Sequence, residues 1–280
     1  MKVLHINNFG YPDYQNDMVF HGGRSVLGSD YVESHTANYM YESFAVRKSL
    51  LYGKGFTLYC RLPDIQPDNT ELYNKIANRH FDYIIYGSVF RNLDYWDIVS
   101  KVYPKNKIIF IDGEDHQGIR WDVVSKGNYF KRECIISYPN VHPITFGIPK
   151  ELIRRGTKKT KDFAHIDPAD RSTYIFDNEN EYYADYAQSY FAYTQKKAGW
   201  DCLRHYEILM NGCMPAFRDI EKCPQLTMAY FPKSYIEQYY IKHGWNFSAD
   251  YWEYLDRMVD VIYNRCTTQA IFNYILETVE

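Results

Sequence analysis

Short apolar runs alternate along this chain with polar segments long enough to form helices. The first run is at 3–6, and later runs lie at 56–60, 82–86, 107–111 and 134–136. Helices are expected between them, for example at 69–79 and 93–102. Such alternation is typical of an α/β fold in which helices cover a largely parallel sheet. We therefore expect a Rossmann-like unit over the first half of the chain.

A second unit of the same kind is predicted in the C-terminal half. Strands are expected at 173–176, 190–194 and 213–217, helices at 179–187 and 200–211, and one or two closing helices between 249 and 278. Residues 149–171 show no apolar period, and the stretch holds a group of cations, Lys150, Arg154, Arg155, Lys158, Lys159 and Lys161. A chain of 280 residues can form two domains. The predicted fold is α/β, with two Rossmann-like domains at 1–148 and 172–280, a linker at 149–171 and a cleft between the domains.

Composition excludes several classes of function. A net charge of −3 argues against a general nucleic-acid binder, which usually carries a basic excess. The six Cys show neither a C-x-x-C pair nor zinc-ligand spacing, which predicts reduced thiols and no metal site. No apolar run approaches the roughly 18 residues that cross a bilayer, and the N-terminus is typical of a strand rather than a signal peptide. A soluble, cytoplasmic protein without a transmembrane segment is expected.

Residues 194–217 carry the strongest functional signal. A predicted strand ends in a polar loop containing Lys196, Lys197 and Gly199, and a helix follows. The N-terminus of a helix at such a place attracts anions, and Arg204 on this helix could bind a diphosphate bidentately. Glu207 lies three residues further on the same face and could accept hydrogen bonds from ribose hydroxyls. Spacing alone favours an ordinary surface Arg–Glu pair over a binding site.

The order of these residues resembles the donor-binding motif of GT-B glycosyltransferases, and most closely that of exostosin-type enzymes. In that family an Arg and a Glu on one helix precede a Gly-Cys-Ile-Pro-Val strand and an acidic residue. The matching residues here are Arg204, Glu207, Gly212, Cys213, Met214, Pro215, Ala216, Phe217 and Asp219, with Met214 and Ala216 departing from the pattern. The resemblance is confined to this segment.

The resemblance implies an activity and a role for each matched residue. Arg204 would bind the diphosphate and Glu207 the ribose, and Asp219 would lie near the sugar or the nucleotide. The implied enzyme is an inverting, metal-independent glycosyltransferase with no cofactor besides its donor substrate. It would move a sugar from a nucleotide diphosphate, a UDP-sugar with UDP-xylose as one candidate, to a hydroxyl of a glycan acceptor.

The first half should then supply the general base that deprotonates the acceptor hydroxyl. Ligands of doubly wound sheets gather beyond the carboxyl ends of the strands, where two loops qualify. Asp115 follows the run at 107–111 and is our first choice, while Asp17 and His21 follow the first strand and are the alternatives.

Other functions remain open at this stage. Asp112 and Glu114 after a strand also resemble the acidic pair by which GT-A glycosyltransferases hold Mn²⁺ or Mg²⁺. The 29 Tyr would equally suit a non-catalytic carbohydrate- or nucleotide-binding module. Paired-carboxylate glycosidase chemistry depends on a carboxylate separation that sequence does not give. A Ser-His-Asp hydrolase is not expected, because the G-x-S-x-G motif does not occur.

Overall fold

The computed structural model describes residues 1–65 and 68–280 of the chain. Within them, nine strands form two parallel sheets: β1 (Val3–Ile6), β2 (Tyr31–Glu33), β3 (Tyr83–Tyr86), β4 (Ile108–Asp112), β5 (Asn128–Lys131), β6 (Val141–Pro143), β7 (Lys161–Phe163), β8 (Ser189–Thr194) and β9 (Met214–Phe217). Nine α-helices are described over the same residues: α1 (Tyr14–Leu27), α2 (Leu72–Ala77), α3 (Trp96–Val102), α4 (Trp121–Val124), α5 (Glu179–Ala187), α6 (Leu203–Met210), α7 (Lys233–His243), α8 (Tyr251–Arg265) and α9 (Thr268–Val279).

The first sheet has the order β2-β1-β3-β4-β5-β6, with all neighbours parallel. The central strands β3 and β4 are nearly continuous apolar runs because both of their faces are covered, as parallel sheets require. In β4, for example, Ile109 and Ile111 join the core on one face, while Ile108 and Phe110 join the core on the other. The chain order reverses between β1 and β3, which opens a crevice at the carboxyl edge of the sheet. The expected α/β class is confirmed.

The second sheet has the order β7-β8-β9 and is also parallel. It has a separate hydrophobic core, to which α5, α6, α7 and α8 contribute. The strand β7 lies inside the stretch 149–171, where the sequence predicted only a linker, and Ala164 and Ile166 join the core. This strand was missed because it has three residues, none fully buried, and so shows no apolar run.

The last helix returns to the first sheet. Ile271 and Phe272 of α9 are buried in the core to which α1 also contributes. An isolated parallel β-bridge pairs Ile148 with Thr267, the residue that precedes α9. The end of the predicted second domain therefore packs on the first sheet.

Three expected strands do not form. At 56–60, Thr57 and Cys60 have φ angles of 71° and 59°, and left-handed backbone of this kind cannot continue a strand. The strand expected at 134–136 is replaced by β5 and β6 on either side of it, and the stretch 173–176 begins at the end of a 3-10 turn, Arg171–Thr173.

No helix in 1–65 or 68–280 is both long and apolar enough to cross a membrane.

Candidate functional site

The helix α6 connects two neighbouring parallel strands, β8 and β9, and its N-terminus lies at their carboxyl ends. The buried side chain of His205 fixes the intervening loop: one ring nitrogen lies 2.8 Å from Thr194 Oγ1 and the other 2.9 Å from the carbonyl oxygen of Trp200. Burial lowers the pKa of His205 to about 3, so the ring is neutral. His205 thus holds the loop against the end of β8 and orients the first turn of α6.

Arg204 projects from that first turn. Its Nη1 atom is buried and makes no hydrogen bond within the described residues, and the nearby Glu207 charge acts on the guanidinium without a direct ion pair there. The guanidinium lies over the ring of Tyr174, 5.2 Å from the centroid. The charge of Glu207 acts on the guanidinium, but a buried N–H group without an acceptor is costly, so this geometry favours the binding of an anion.

The two loop lysines contact different aromatic rings near the start of α6. Lys197 Nζ is 5.4 Å from the centroid of the Tyr174 ring that also contacts Arg204, and it donates a hydrogen bond of 3.1 Å to the carbonyl oxygen of Pro168. Lys196 Nζ lies over the ring of Trp200, 5.4 Å from its centroid. Lys197 and Arg204 are therefore brought to one aromatic side chain, whereas Lys196 lies beside a different ring.

Glu207 is 6% exposed, and each of its two carboxylate oxygens accepts a hydrogen bond from a hydroxyl group. Thr57 Oγ1 donates to Oε1 at 2.5 Å, and the Tyr182 hydroxyl donates to Oε2 at 2.6 Å. Burial raises the pKa of the Glu207 carboxyl above its ordinary value. The arrangement is a carboxylate that accepts from two hydroxyls, which is the interaction that the sequence predicted for a ribose.

A second carboxylate, which is partly buried, holds the segment that carries Thr57. Glu179, at the start of α5, accepts from Thr57 N at 2.5 Å, from Arg61 Nη2 at 2.9 Å and from Lys48 Nζ at 2.8 Å. The donors come from the first half of the chain and the acceptor from the second. Glu179 and Glu207 therefore bind the 48–61 region against the second sheet.

Asp115 lies at another contact between the halves and is the candidate base that solvent reaches most freely, with a side chain 57% exposed. The buried Arg132 donates to the Asp115 carboxylate, to the Gly113 carbonyl oxygen and to the carbonyl oxygen of Asp201 in the loop before α6. Gly199 of that loop packs so tightly here that a Cβ atom would lie 3.2 Å from Asp115 Oδ1. The predicted base and the predicted donor loop are thus neighbours.

Asp17 occupies the first turn of α1 and is fully buried. Its carboxyl accepts from the backbone N–H of Asp13 at 2.8 Å, from Asn16 Nδ2 at 2.8 Å and from the Tyr39 hydroxyl at 2.9 Å. Burial and, to a smaller extent, the nearby Asp13 charge raise the pKa of Asp17 to about 7. An acceptor hydroxyl has no path to this carboxyl in the present conformation.

His21 does not face the crevice. It is 2% exposed, and one ring nitrogen lies 2.9 Å from Thr268 Oγ1 of α9. Burial lowers its pKa to about 4, so the ring is neutral. Its position between α1 and α9 gives it a structural role, contrary to its selection as an alternative base.

The acidic residues considered for a metal have other partners. Asp112 is buried, forms an ion pair of 3.0 Å with Lys131 and accepts a hydrogen bond from the Tyr129 hydroxyl. Glu114 forms an ion pair with Arg91. Across 1–65 and 68–280, no group of three or more His, Cys, Asp or Glu is placed to hold a metal ion. The Asp219 side chain is 60% exposed and forms an ion pair of 2.8 Å with Lys222.

Several residues of this site carry no local signal in the sequence. Thr57 lies 150 residues from Glu207 in the chain, so no local spacing connects them. Tyr174, Tyr182 and Arg132 likewise act through contacts distant in sequence. The Gly-Lys-Gly turn at 53–55 was visible as a turn, but nothing in it indicated contact with α6.

Comparisons of the chain with protein-family models, with curated proteins and with solved structures find no match.

Proposed function

We propose that this chain is a glycosyltransferase that transfers a sugar from a nucleotide diphosphate donor to a hydroxyl of a glycan. The observation that carries the proposal is the Arg204 guanidinium, whose buried Nη1 has no acceptor among the described residues, beside a carboxylate that accepts from hydroxyls. A nucleoside diphosphate has both complements, an anionic diphosphate and a ribose with two hydroxyls. The GT-B arrangement of two Rossmann-like domains is part of the proposal, and two parallel sheets with separate cores support it.

The electrostatics of the site fit a diphosphate. Arg204 has no carboxylate partner within the described residues, and Lys197 lies at the same Tyr174 ring. Charge-assisted and bidentate hydrogen bonds to phosphate are among the stronger contacts that Arg makes. The nucleotide would lie at the carboxyl ends of β8 and β9, where ligands of parallel sheets bind. A UDP-sugar, with UDP-xylose as one candidate, follows from the sequence resemblance alone.

Asp115 is the base that the proposal assigns. It is the exposed member of the predicted set, and Arg132 holds it next to the loop that precedes α6. It would take the proton from the acceptor hydroxyl while the oxygen of that hydroxyl attacks C1 of the sugar and the nucleoside diphosphate leaves. A metal-bound donor fits less well, because Asp112 is buried and already paired with Lys131.

Isothermal titration calorimetry of the protein with UDP, in the presence of EDTA, tests the proposal. Arg204→Ala should raise the Kd by about 10- to 100-fold, because a charge-assisted hydrogen bond is worth about 1.5–3 kcal/mol. The matched control is Arg120→Ala, since that guanidinium also lies over an aromatic ring, Phe90, but already has Asp122 as its partner. The control should bind UDP like the wild type. An Arg204→Ala variant with wild-type affinity would overturn the assignment.

A further inference from the structure

The residues that cover Glu207 belong to a short segment with unusual backbone. In residues 51–57, called the latch segment below, Gly53, Lys54, Gly55 and Thr57 have φ angles of 59°, 57°, 69° and 71°. Thr57 is β-branched, and a β-branched residue with positive φ is a genuine outlier. Such strain persists only where surrounding contacts hold it, and it is concentrated at functional sites.

The latch segment is held by both halves of the chain. From the first half, the Tyr14 hydroxyl donates to the carbonyl oxygen of Tyr52 and Arg61 Nε donates to that of Thr57, and the contacts that follow come from the second half. Lys54 forms an ion pair with Asp177 and donates a hydrogen bond of 3.0 Å to the carbonyl oxygen of Phe176. The Phe56 ring stacks on that of Tyr182, with centroids 5.6 Å apart. Thr57 donates to Glu207 through its hydroxyl and to Glu179 through its backbone N–H. The next residue, Leu58, is buried in the core of the first sheet.

Glu207 cannot accept from a ribose while Thr57 occupies it. The carboxylate is 6% exposed, and the Thr57 hydroxyl lies 2.5 Å from Oε1. Arg204, one turn away, keeps an unused donor. The site is therefore ready for one part of a nucleoside diphosphate and closed to the other. The diphosphate could bind the available donor of Arg204, whereas the carboxylate that would accept from the ribose already accepts from the Thr57 hydroxyl.

We propose that the latch segment is a self-inhibitory latch, in which the Thr57 hydroxyl takes the place of a ribose hydroxyl on Glu207. This inference rests on the proposed function. Binding of the diphosphate at Arg204 precedes release of the latch, and the ribose then replaces Thr57. Gly53 and Gly55 allow the backbone to change at low cost, and release relieves the left-handed conformations of Lys54 and Thr57. Leu58 and Tyr59, both buried in the first core, form the fixed end of the moving segment.

Hydrogen exchange and affinity together test the latch. On saturation with UDP, amides of residues 51–57 should exchange faster, while those of α6 become protected. Lys54→Ala removes a contact of the latch without touching Arg204 or Glu207. It should lower the Kd for UDP by about 1.4- to five-fold, since an exposed ion pair contributes about 0.2–1 kcal/mol to the closed state. Lys242→Ala breaks an exposed ion pair with Asp250 on another surface and should leave the Kd unchanged.

The outcomes separate the latch from the function on which it rests. If UDP binds and Arg204→Ala weakens it, but Lys54→Ala leaves the Kd unchanged and 51–57 becomes protected, the latch is wrong and the donor site stands. In that case Thr57 is a fixed part of the site wall. If neither the wild type nor Lys54→Ala binds UDP, the proposed donor site is wrong and the latch falls with it. UDP binding that appears only in Lys54→Ala supports both.

Discussion

The hydroxyl of Thr57 donates a 2.5 Å hydrogen bond to Oε1 of Glu207 and so connects the two halves of the chain at the predicted ribose acceptor. Thr57 is fully buried, and its hydroxyl also lies 2.7 Å from that of Tyr183. Thr57 therefore satisfies one oxygen of a buried carboxylate whose other oxygen accepts from Tyr182. In the proposed latch, this contact stabilises the closed form and opposes binding of the donor.

Thr57→Val tests the energetic weight of this contact. Valine keeps the β-branched shape and the backbone strain but removes the hydroxyl, so a buried oxygen of Glu207 loses its donor. Leaving such a group unsatisfied costs about 1–3 kcal/mol, which urea unfolding should record as a loss of stability. Thr278→Val is the matched control, because its partly buried hydroxyl bonds only to the Tyr274 carbonyl oxygen within α9. Equal losses in the two variants would contradict the role given to Thr57.

The raised pKa of Asp17 predicts that the stability of the folded protein depends on pH. Its pKa is raised to about 7 in the folded protein, above the value in an unfolded chain, so the native state holds the proton more tightly. The stabilisation is complete below the unfolded pKa and is lost as the pH rises through about 7.

Asp17→Asn should remove that dependence. The stability of the variant relative to the wild type should rise by about 1–3 kcal/mol between pH 5 and pH 8, as measured by urea unfolding at each pH. Asp122→Asn, an exposed carboxylate paired with Arg120, is the control and should show no such rise. A constant difference between Asp17→Asn and the wild type across this range would show that Asp17 is ionised throughout.

Asp115→Asn tests the assignment of the base. The amide keeps the shape and can accept a hydrogen bond from Arg132, but it cannot take a proton from an acceptor hydroxyl. Sugar transfer should fall by about 10²- to 10⁴-fold, while the Kd for UDP stays within about two-fold of the wild type. Asp122→Asn again serves as control, since its carboxylate is 55% exposed and paired with an Arg, as is that of Asp115. An active Asp115→Asn enzyme would move the base elsewhere.

The elements that the sequence predicts best are those whose signals are local. The helix α5 has its predicted bounds, and Asn178 caps it by accepting from the N–H groups of Asn180 and Glu181. The strand β9 and the turn at Gly212, with φ of 65°, follow from the Gly-Cys-Met-Pro order. In contrast, β2, β6 and β7 have three residues each, too few for a period to show.

The site was predictable only in part, for the same reason. Arg204 and Glu207 share a helix, so their spacing could indicate a shared role. Burial of Asp17 and His21 depends on how α1 packs, and a polar residue near a strand end gives no sign of that packing. The contact of Thr57 with Glu207 depends on the left-handed backbone of residue 57, which is rare for threonine and was not expected at a predicted strand.

The most direct test of the central claim is a thermal-shift panel with UDP, GDP, CDP, ADP and TDP, each in EDTA and in Mn²⁺. A ligand at 100 times its Kd stabilises the native state by about 2.7 kcal/mol, which raises the Tm of a chain this size by a few degrees. The account predicts a shift with a nucleoside diphosphate, UDP being the expected one, that persists in EDTA and is lost in Arg204→Ala. A shift that requires Mn²⁺, or none with any of the five, would contradict it.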